Sequence, residues 1–301
     1  MKNVLQYYYN LNPTSIHQVN SDYKCHIGNF EYIFCRFEKS PEELLEIQKL
    51  NIYLLSKGFL CHQIISNINE SPVTYVDGVQ YVLMKVFVQN KFIGVNNLVD
   101  FLSWTVPERN FKVLERNNWY DLWTKKVDYI EYQTSQFGKN FPLLRSVIHY
   151  YIGLAETAIS LVLSINNNNF NLTIAHRRVS GKYKLQDLYN PLNFIIDSRI
   201  RDLSEYCKEK FYLSGIDIDK LKGLIQFYRF SNSEAVLFLA RMLYPTYFFD
   251  CYQDIILGEL DEIEINKYLV KAIEYQKFLK YIYFYLKQSY KIPEIEWIKK
   301  T

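Results

Sequence analysis

The sequence has few of the residues that build disulfide frameworks and metal-binding knuckles. It contains five cysteines in 301 residues, an odd number with no CxxC spacing. These are Cys25, Cys35, Cys61, Cys207 and Cys251. Zinc sites use closely spaced ligand pairs, and disulfide frameworks use even sets of cysteines. The sequence therefore argues against both and fits a reducing compartment.

Strong charge and long apolar runs are also lacking. The formal net charge is +3 and 22% of the residues are charged, which gives no general attraction to nucleic acid. The sequence begins MKNVLQYYYNLNP, without a long apolar segment, and no later run reaches the length expected of a bilayer span. We therefore expect no nucleic-acid partner, no membrane span and synthesis in the cytosol.

Glycine is scarce where a phosphate-binding loop would need it. Residues 5–39 are predicted to be mostly strands, with 23–27 and 31–37 rich in aromatic and β-branched residues around a turn at Gly28-Asn29. Gly28 is the only glycine of this region. Without more glycine the backbone cannot easily make the close approach that a phosphate cradle needs.

Two local patterns in the next segment predict a helix and a hairpin. Ser40-Pro41-Glu42-Glu43 combines a cap, a proline at the first helical position and a glutamate at the third, and it predicts a helix that ends near Gly58. Glu46 on this helix pairs with Arg36 or Lys39, or is a solvated charge. Asp77-Gly78 between residues 73–76 and 79–86 predicts a tight hairpin.

From about residue 96 onward the pattern is mainly helical. Two short apolar runs, 172–175 and 193–196, interrupt it and predict two small buried strands. Residues 202–205 (DLSE) predict a helix that begins with Asp202 as its N-cap. The other predicted helices cover 118–137, a long helix that starts at Pro142 and runs through 151–164 to stop at Asn166–Asn169, and then about 217–230, 233–252 and 259–287.

The order of helix, His-containing loop, short strand pair, Asp and helix resembles the catalytic segment of protein-kinase-like folds. More narrowly, GLAETAI at 153–159 and RDLSEYCK at 201–208 resemble the aminoglycoside-phosphotransferase-like proteins of the bacterial (Firmicutes) spore coat, the CotS/YutH type. The resemblance implies an α+β, two-lobe fold. It places a small β-rich N-lobe at 1–87, a helical C-lobe at 88–301 and a hinge near 85–90.

The resemblance also shows where the chain departs from an active enzyme of this kind. The family pattern has a His-x-Asp start to the catalytic loop, then an Asn, then a metal-binding Asp after the next strand. Here the loop reads His176-Arg177-Arg178, so Arg178 stands in place of the catalytic Asp, and Tyr183 stands in place of the Asn. Asp197, or Asp187 as a second candidate, takes the metal position or else is a turn-forming surface carboxylate.

Two further roles stay open at this stage. The resemblance implies that the Asp202 carboxylate anchors the catalytic loop through its backbone N–H groups, whereas the local pattern makes Asp202 an N-cap. The loop is also basic, and it binds an acidic partner, a phosphate or nothing. Its charged residues are His176, Arg177, Arg178, Lys182 and Lys184, with a hinge at Gly181.

The functional expectation follows from the altered loop. An arginine cannot accept a proton, so it cannot act as a general base. The sequence predicts a kinase-fold pseudoenzyme without a cofactor, made in the mother-cell cytoplasm, deposited in the spore coat and working by contact with other coat proteins. The alternative is an active ATP- and Mg-dependent small-molecule phosphotransferase with rearranged catalytic residues.

Overall fold

The structure is a computed structural model that describes residues 1–87, 95–104, 106, 111–165, 170–179 and 185–300. The chain divides into two compact units, each built from two separate segments. The sheet unit comprises Met1–Arg116 and Leu172–Asp197, and the helical unit comprises Asn117–Asn171 and Ser198–Thr301. Residues 88–90 of the predicted hinge lie outside the described residues, as do Gly94, Asn166–Asn169, Gly181, Lys182, Tyr183 and Lys184. The predicted lobe boundary at residue 87 stays a prediction.

The strands of the described residues form two sheets. Six of them make one antiparallel sheet in the order β1-β2-β3-β6-β4, with β5 paired to β6, and β7 and β8 make a separate two-stranded sheet. The strands are β1 Ile16–Val19, β2 Asp22–Ile27, β3 Phe30–Arg36, β4 Gln63–Ile65, β5 Thr74–Val76, β6 Val79–Val86, β7 Leu172–His176 and β8 Phe194–Ser198.

The helices account for most of the remaining described residues. They are α1 Lys2–Tyr9, α2 Pro41–Ser56, α3 Val95–Asp100, α4 Trp119–Phe137, α5 Pro142–Leu163, α6 Leu185–Leu188, α7 Ile200–Ser214, α8 Ile218–Tyr228, α9 Asn232–Leu243, α10 Thr246–Ile256, α11 Asn266–Lys287 and α12 Glu296–Lys300. Short 3-10 helices lie at Phe101–Ser103, Gly138–Asn140, Pro191–Asn193 and Glu262–Ile265.

In the sheet unit, the start of α2 and the turn at Asp77-Gly78 form where the local sequence signals predict them. At the start of α2 the Ser40 hydroxyl accepts a hydrogen bond from the backbone N–H of Glu43 at 3.2 Å, and Pro41 occupies the first turn. Asp77 and Gly78 have φ of 51° and 79°, the left-handed conformation that a two-residue hairpin turn requires. Both the helix and the hairpin are confirmed.

The first residues of the chain form a helix, where the sequence had predicted mostly strand. Leu5 of α1 is buried against Phe34 and Leu83 of the sheet, and the Tyr9 hydroxyl lies 2.8 Å from the Thr74 hydroxyl oxygen. The aromatic run at the end of α1 has strand propensity, but packing on the sheet decides the conformation.

Helix α5 forms the core of the helical unit. The Tyr151 ring stacks on Phe248 with ring centroids 3.6 Å apart, and the Tyr151 hydroxyl donates to the Tyr268 carbonyl at 3.2 Å. With 22 residues, α5 is long and apolar enough to cross a membrane by length and composition, which corrects the expectation that no run has that length. Its buried face packs within the unit, as in the core helix of many globular domains.

Three predicted helix boundaries in the helical unit are wrong. The helix predicted over about 259–287 begins only at Asn266, after the 3-10 helix Glu262–Ile265. The helix predicted over 233–252 is two helices, because α9 ends at Leu243 and α10 begins at Thr246, after Pro245. Proline has no N–H to donate and disfavours helical geometry in the residue before it. Helix α7 begins at Ile200 with Arg199 as the N-cap, so Asp202 lies inside its first turn and is not the N-cap.

Candidate functional site

The candidate site lies in the sheet unit, around the end of β7. His176 is the last residue of this strand and is buried. Its Nε2 lies 2.7 Å from the Leu188 carbonyl oxygen. A carbonyl oxygen can only accept, so Nε2 carries the proton and is not available as a base. The backbone N–H of Arg177 donates to the Asn193 carbonyl at 2.9 Å and ties the residue after β7 to the start of β8.

Aromatic rings enclose the His176 imidazole. Phe101 and Phe194 meet it edge-on, with ring centroids 4.7 Å and 5.5 Å away. Trp104 packs on Phe101 at 4.1 Å. Edge-to-face packing of this kind favours a fixed ring orientation. The imidazole is therefore held as part of a packed cluster.

Tyr189 extends the same aromatic cluster. Its ring lies 5.5 Å from that of Phe101, and its carbonyl accepts a hydrogen bond from the His62 backbone N–H at 2.9 Å. Burial raises the pKa of the Tyr189 phenol, and the charge of Asp100 adds to the rise. This phenol is therefore neutral at physiological pH and has a packing role.

An ion pair joins the segment after β7 to helix α2. The Arg177 guanidinium contacts the Glu43 carboxylate, and Lys39 Nζ lies 3.6 Å from the same carboxylate oxygen. The side chains of Glu43 and Arg177 are 11% and 29% exposed. Lys39 also donates to the Leu192 carbonyl at 2.8 Å. One carboxylate thus connects the predicted catalytic loop, α2 and the segment before β8.

Positive charge exceeds negative charge around Lys39. Burial lowers the pKa of the Lys39 ammonium to about 7, and the guanidinium groups of Arg177 and Arg116 act in the same direction. The Glu43 carboxylate lies beside Lys39, but Arg177 takes the closer position on it. The attraction to Glu43 therefore does not offset burial and repulsion.

Glu46 has a different role from either of the two that the sequence suggested. Its Oε2 accepts hydrogen bonds from the backbone N–H groups of Val113 and Leu114 at 2.9 and 3.0 Å. Arg36 pairs instead with Glu38 at 2.9 Å, and Lys39 lies beside Glu43. Sequence analysis did not identify Glu43 as a partner. The only local signal on it was its place in the cap of α2.

Arg178 and Asp197 lie in the same unit in different surroundings. The Arg178 guanidinium donates through Nη1 to the Arg177 carbonyl at 2.8 Å, and its side chain is half-buried. Asp197 lies within β8 and is 0% exposed, so it is not the surface turn carboxylate of the alternative interpretation. Asp187 lies on the short helix α6 and is half-buried. Tyr183 lies outside the described residues.

Asp202 lies in the helical unit, on the first turn of α7, and is buried. A carboxylate in a first helical turn interacts favourably with the helix dipole. The predicted anchoring of residues 176–179 by Asp202 stays a prediction.

The fit of Mg-ATP to these residues is poor. The turn between β1 and β2 consists of Asn20 and Ser21, and both carry side chains where a phosphate cradle usually has glycine. In the part of the chain that the structure describes, no group of three His, Cys, Asp or Glu side chains is placed to hold a metal ion.

A family model described as "Spore coat putative kinase YutH" matches residues 2–282 of the chain. Curated proteins give no match. The family match confirms the resemblance seen in the sequence.

Solved structures with a similar fold are phosphotransferases and kinases. An aminoglycoside phosphotransferase from Alicyclobacillus acidocaldarius has a TM-score of 0.69 and 12% identity, over 93% of this chain and 94% of that one. The AMP-bound spectinomycin phosphotransferase has a TM-score of 0.57 and 12% identity, over 93% of each chain. The amicoumacin kinase hAmiN has a TM-score of 0.57 and 10% identity, over 97% of this chain and 94% of that one.

At such low identity the likeness shows the fold alone. It confirms the predicted class: an α+β, protein-kinase-like fold of the aminoglycoside phosphotransferase type, with a β-rich N-lobe and a helical C-lobe.

Proposed function

We propose that this chain, which belongs to the spore coat YutH kinase family, acts in the spore coat as a non-catalytic interaction protein. Its partners are other coat proteins. It is made in the cytoplasm of the mother cell and then deposited on the spore. The observation that carries the proposal is the segment from His176 to Val179, which has two arginines and no carboxylate.

The chemistry of that segment opposes general-base catalysis. A guanidinium stays protonated at any relevant pH. The one imidazole of the segment has its Nε2 hydrogen-bonded to Leu188 and its ring enclosed by Phe101 and Phe194. General-base help is worth roughly 10²–10⁴-fold in rate, so its loss alone removes efficient phosphotransfer.

The ion pair between Arg177 and Glu43 supports the same proposal. It uses the carboxylate of α2 to hold the segment after β7, so that this segment is fixed by protein groups alone. The arrangement favours a rigid surface for binding other proteins.

One observation favours the alternative of an active phosphotransferase. Asp197 is a fully buried carboxylate on β8, and the family resemblance makes it the candidate metal ligand. Under this alternative another carboxylate replaces the missing base, and Mg²⁺ binding depends on Asp197.

Calorimetric titration of the full chain with Mg-ATP separates the two functions. We expect no heat of binding and no phosphate release above the buffer blank for the parent and for Arg178→Asp. A one-to-one complex that needs Mg²⁺ and is lost in Asp197→Asn would overturn the proposal and establish the alternative. Asp250→Asn, an exchange of the same kind in the helical unit, is the control.

The coat assignment has its own test. A fluorescent fusion of the chain, produced during sporulation, should surround the developing spore. Asp197→Asn should leave that pattern unchanged, because the proposed role needs no catalysis. A uniform mother-cell signal at all stages would contradict the coat location.

A further inference from the structure

A cleft in the helical unit is lined by residues that take no part in the candidate site of the sheet unit. It is formed by the end of α4, the 3-10 helix Gly138–Asn140 and the first turns of α5, and its volume is about 260 Å³. Buried Ile152 forms part of its wall. The polar residues that line it are Glu131, Thr134, Ser135, Lys139, Arg145 and His149.

The basic side chains of the cleft are exposed and without partners. Within the described ranges, Lys139, Arg145 and His149 make no side-chain hydrogen bond or ion pair. Glu131 lines the same cleft and is also unpaired there. The two cationic side chains, Lys139 and Arg145, outnumber the one carboxylate, and this excess of positive charge favours an anionic ligand group.

The neighbouring backbone helps to position Arg145. A Cβ atom added at Gly138 would lie 3.9 Å from the Cγ and Cδ atoms of Arg145 and 3.3 Å from the methyl carbon of Thr134. The aliphatic stem of Arg145 therefore lies close to the backbone at Gly138, and Arg145 lines the cleft. A guanidinium in this position suits two-point binding of a carboxylate or phosphate.

The size of the cleft limits what can enter it. Pockets for drug-sized ligands measure about 300–1,000 Å³, so a cleft of about 260 Å³ fits a side chain better than a nucleotide or an aminoglycoside. Tyr132 lies on α4 one helical turn before Ser135 of the cleft lining, and it is 63% exposed. Exposed tyrosines are enriched where proteins bind one another.

We propose that this cleft binds an acidic side chain from an extended segment of a partner protein, with an apolar residue of that segment packed on Tyr132. The anionic group is a carboxylate or the phosphate of a modified residue, since both match the donors of Arg145 and Lys139. This proposal goes beyond the proposed function and does not depend on it, because a chain that bound Mg-ATP could use the same cleft.

Fluorescence anisotropy on the full chain tests the proposal. The probe is a fluorescein-labelled nine-residue peptide with Asp and Glu around a central Leu-Leu pair, and its Asn/Gln counterpart is the neutral control. We expect the acidic peptide to bind at least tenfold more tightly than the neutral one, and its affinity to fall as salt is added. A copy with phosphoserine in place of one Glu distinguishes the two anionic groups.

Charge-reversal variants locate the binding. Arg145→Glu and Lys139→Glu should each lower the affinity for the acidic peptide about tenfold or more, whereas Glu131→Lys should raise it. Lys277→Glu makes the same charge change at an exposed position of α11 and should alter the affinity less than about twofold. Tyr132→Ser should weaken the peptide but leave any binding of inorganic phosphate unchanged.

Three results would overturn the proposal. The first is no binding of the acidic peptide up to millimolar concentration. The second is equal weakening by Lys277→Glu and Arg145→Glu, which would indicate only a general attraction between charges. The third is competition by inorganic phosphate at the same affinity as the peptide, because the cleft would then bind small anions and not a protein segment.

Discussion

Each unit of the molecule contains an arginine–glutamate pair in which the glutamate is buried and the arginine is half-buried, and the two pairs are built differently. Arg177 follows β7 and contacts Glu43, which also lies near Lys39. Arg199 follows β8 and contacts Glu234 through Nε and Nη2 at 2.6 and 2.9 Å. In the sheet unit one carboxylate serves two cations, whereas in the helical unit one guanidinium binds one carboxylate with two parallel bonds.

The surroundings of the two carboxylates differ as well. Glu234 belongs to a capping box, in which its side chain accepts from the Ser231 backbone N–H at 2.8 Å and the Ser231 hydroxyl accepts from the Glu234 N–H at 3.2 Å. Its side chain is 6% exposed. Glu43 is placed by α2, but its partners come from other segments. We infer that the helical pair is the stronger of the two, because local structure positions its carboxylate in advance.

The largest expected effect is therefore on the helical pair. Glu234→Ala removes a bidentate partner and half of a helix cap, and loss of one member of a buried pair costs about 3–5 kcal/mol. Amide hydrogen exchange should rise across Asn232–Leu243 and at the start of α7. Glu259→Ala, an exposed glutamate after α10, is the control. Equal protection in Glu234→Ala and the control would contradict the ranking.

The same pair sets a pH dependence. Burial raises the pKa of Glu234, but the hydrogen bonds from Arg199 and Ser231 and the charge of Arg199 together hold it below its ordinary value. A carboxyl with a lowered pKa contributes stability above its unfolded pKa, and that stability is lost as pH falls through the lowered value. The difference in free energy of unfolding between the parent and Glu234→Ala should thus become smaller in acid.

A smaller effect is expected from the pair in the sheet unit. Glu43→Ala leaves Arg177 and Lys39 facing each other without a carboxylate. The loss of stability should be about 2 kcal/mol, between the values for breaking a buried pair and an exposed pair. Hydrogen exchange should rise in Leu172–His176 and Pro41–Ser56 and stay unchanged in the helical unit. Glu42→Ala, on the exposed side of the same helical turn, is the control and should change neither the stability nor the hydrogen exchange of these segments. If Glu43→Ala lost as much stability as Glu234→Ala, or more, the helical pair would not be the stronger of the two.

The smallest expected effect comes from Lys39, the second cation beside Glu43, which has no counterpart described for the helical pair. Lys39 has a pKa of about 7 in the folded protein, below its ordinary value of 10.5, chiefly because of burial. The folded state therefore resists protonation of Lys39, and this cost is fully present below about pH 7 and disappears as pH rises from about 7 toward 10.5.

Lys39→Met should remove that cost. Relative to the parent, the variant should be more stable at pH 6 than at pH 9. The change should be about 1 kcal/mol, discounted because the side chain is 28% exposed. Urea unfolding at both pH values measures it, and Lys49→Met on the same helix is the control. A stability difference that does not change with pH would show that Lys39 keeps an ordinary pKa.

Much of the fold was predictable because its signals are local. The cap at Ser40, the Asp77-Gly78 turn and Pro142 each act within a few residues, and the structure places α2, the hairpin and α5 where these signals predict them. Pro245 favours a break, but the apolar pattern continues on both sides of it and predicts a single helix. The start of α7 was misplaced because an acidic residue suits both an N-cap and a first turn.

The candidate site depends on contacts that no local pattern encodes. His176, Arg177 and Arg178 were identified from the resemblance, but the pairing of Arg177 with Glu43 joins segments that are far apart in the sequence. Glu46 looked equally suitable for an ion pair, and the structure uses it to bind backbone N–H groups. Choosing between two glutamates on one helix requires the fold of the partner segment, which the sequence of the helix does not contain.

The sheet unit is discontinuous in the chain, and this has a consequence for synthesis on the ribosome. Met1–Arg116 emerge first, but Leu172–Asp197, which supply His176, Arg177 and Phe194, emerge only after a segment of the other unit. At about 5–20 residues per second, the delay is on the order of 10 s. During that interval the nascent chain has Phe101 and Trp104 without their later partners. Apolar surface of this kind is prone to aggregation until translation delivers the missing strands.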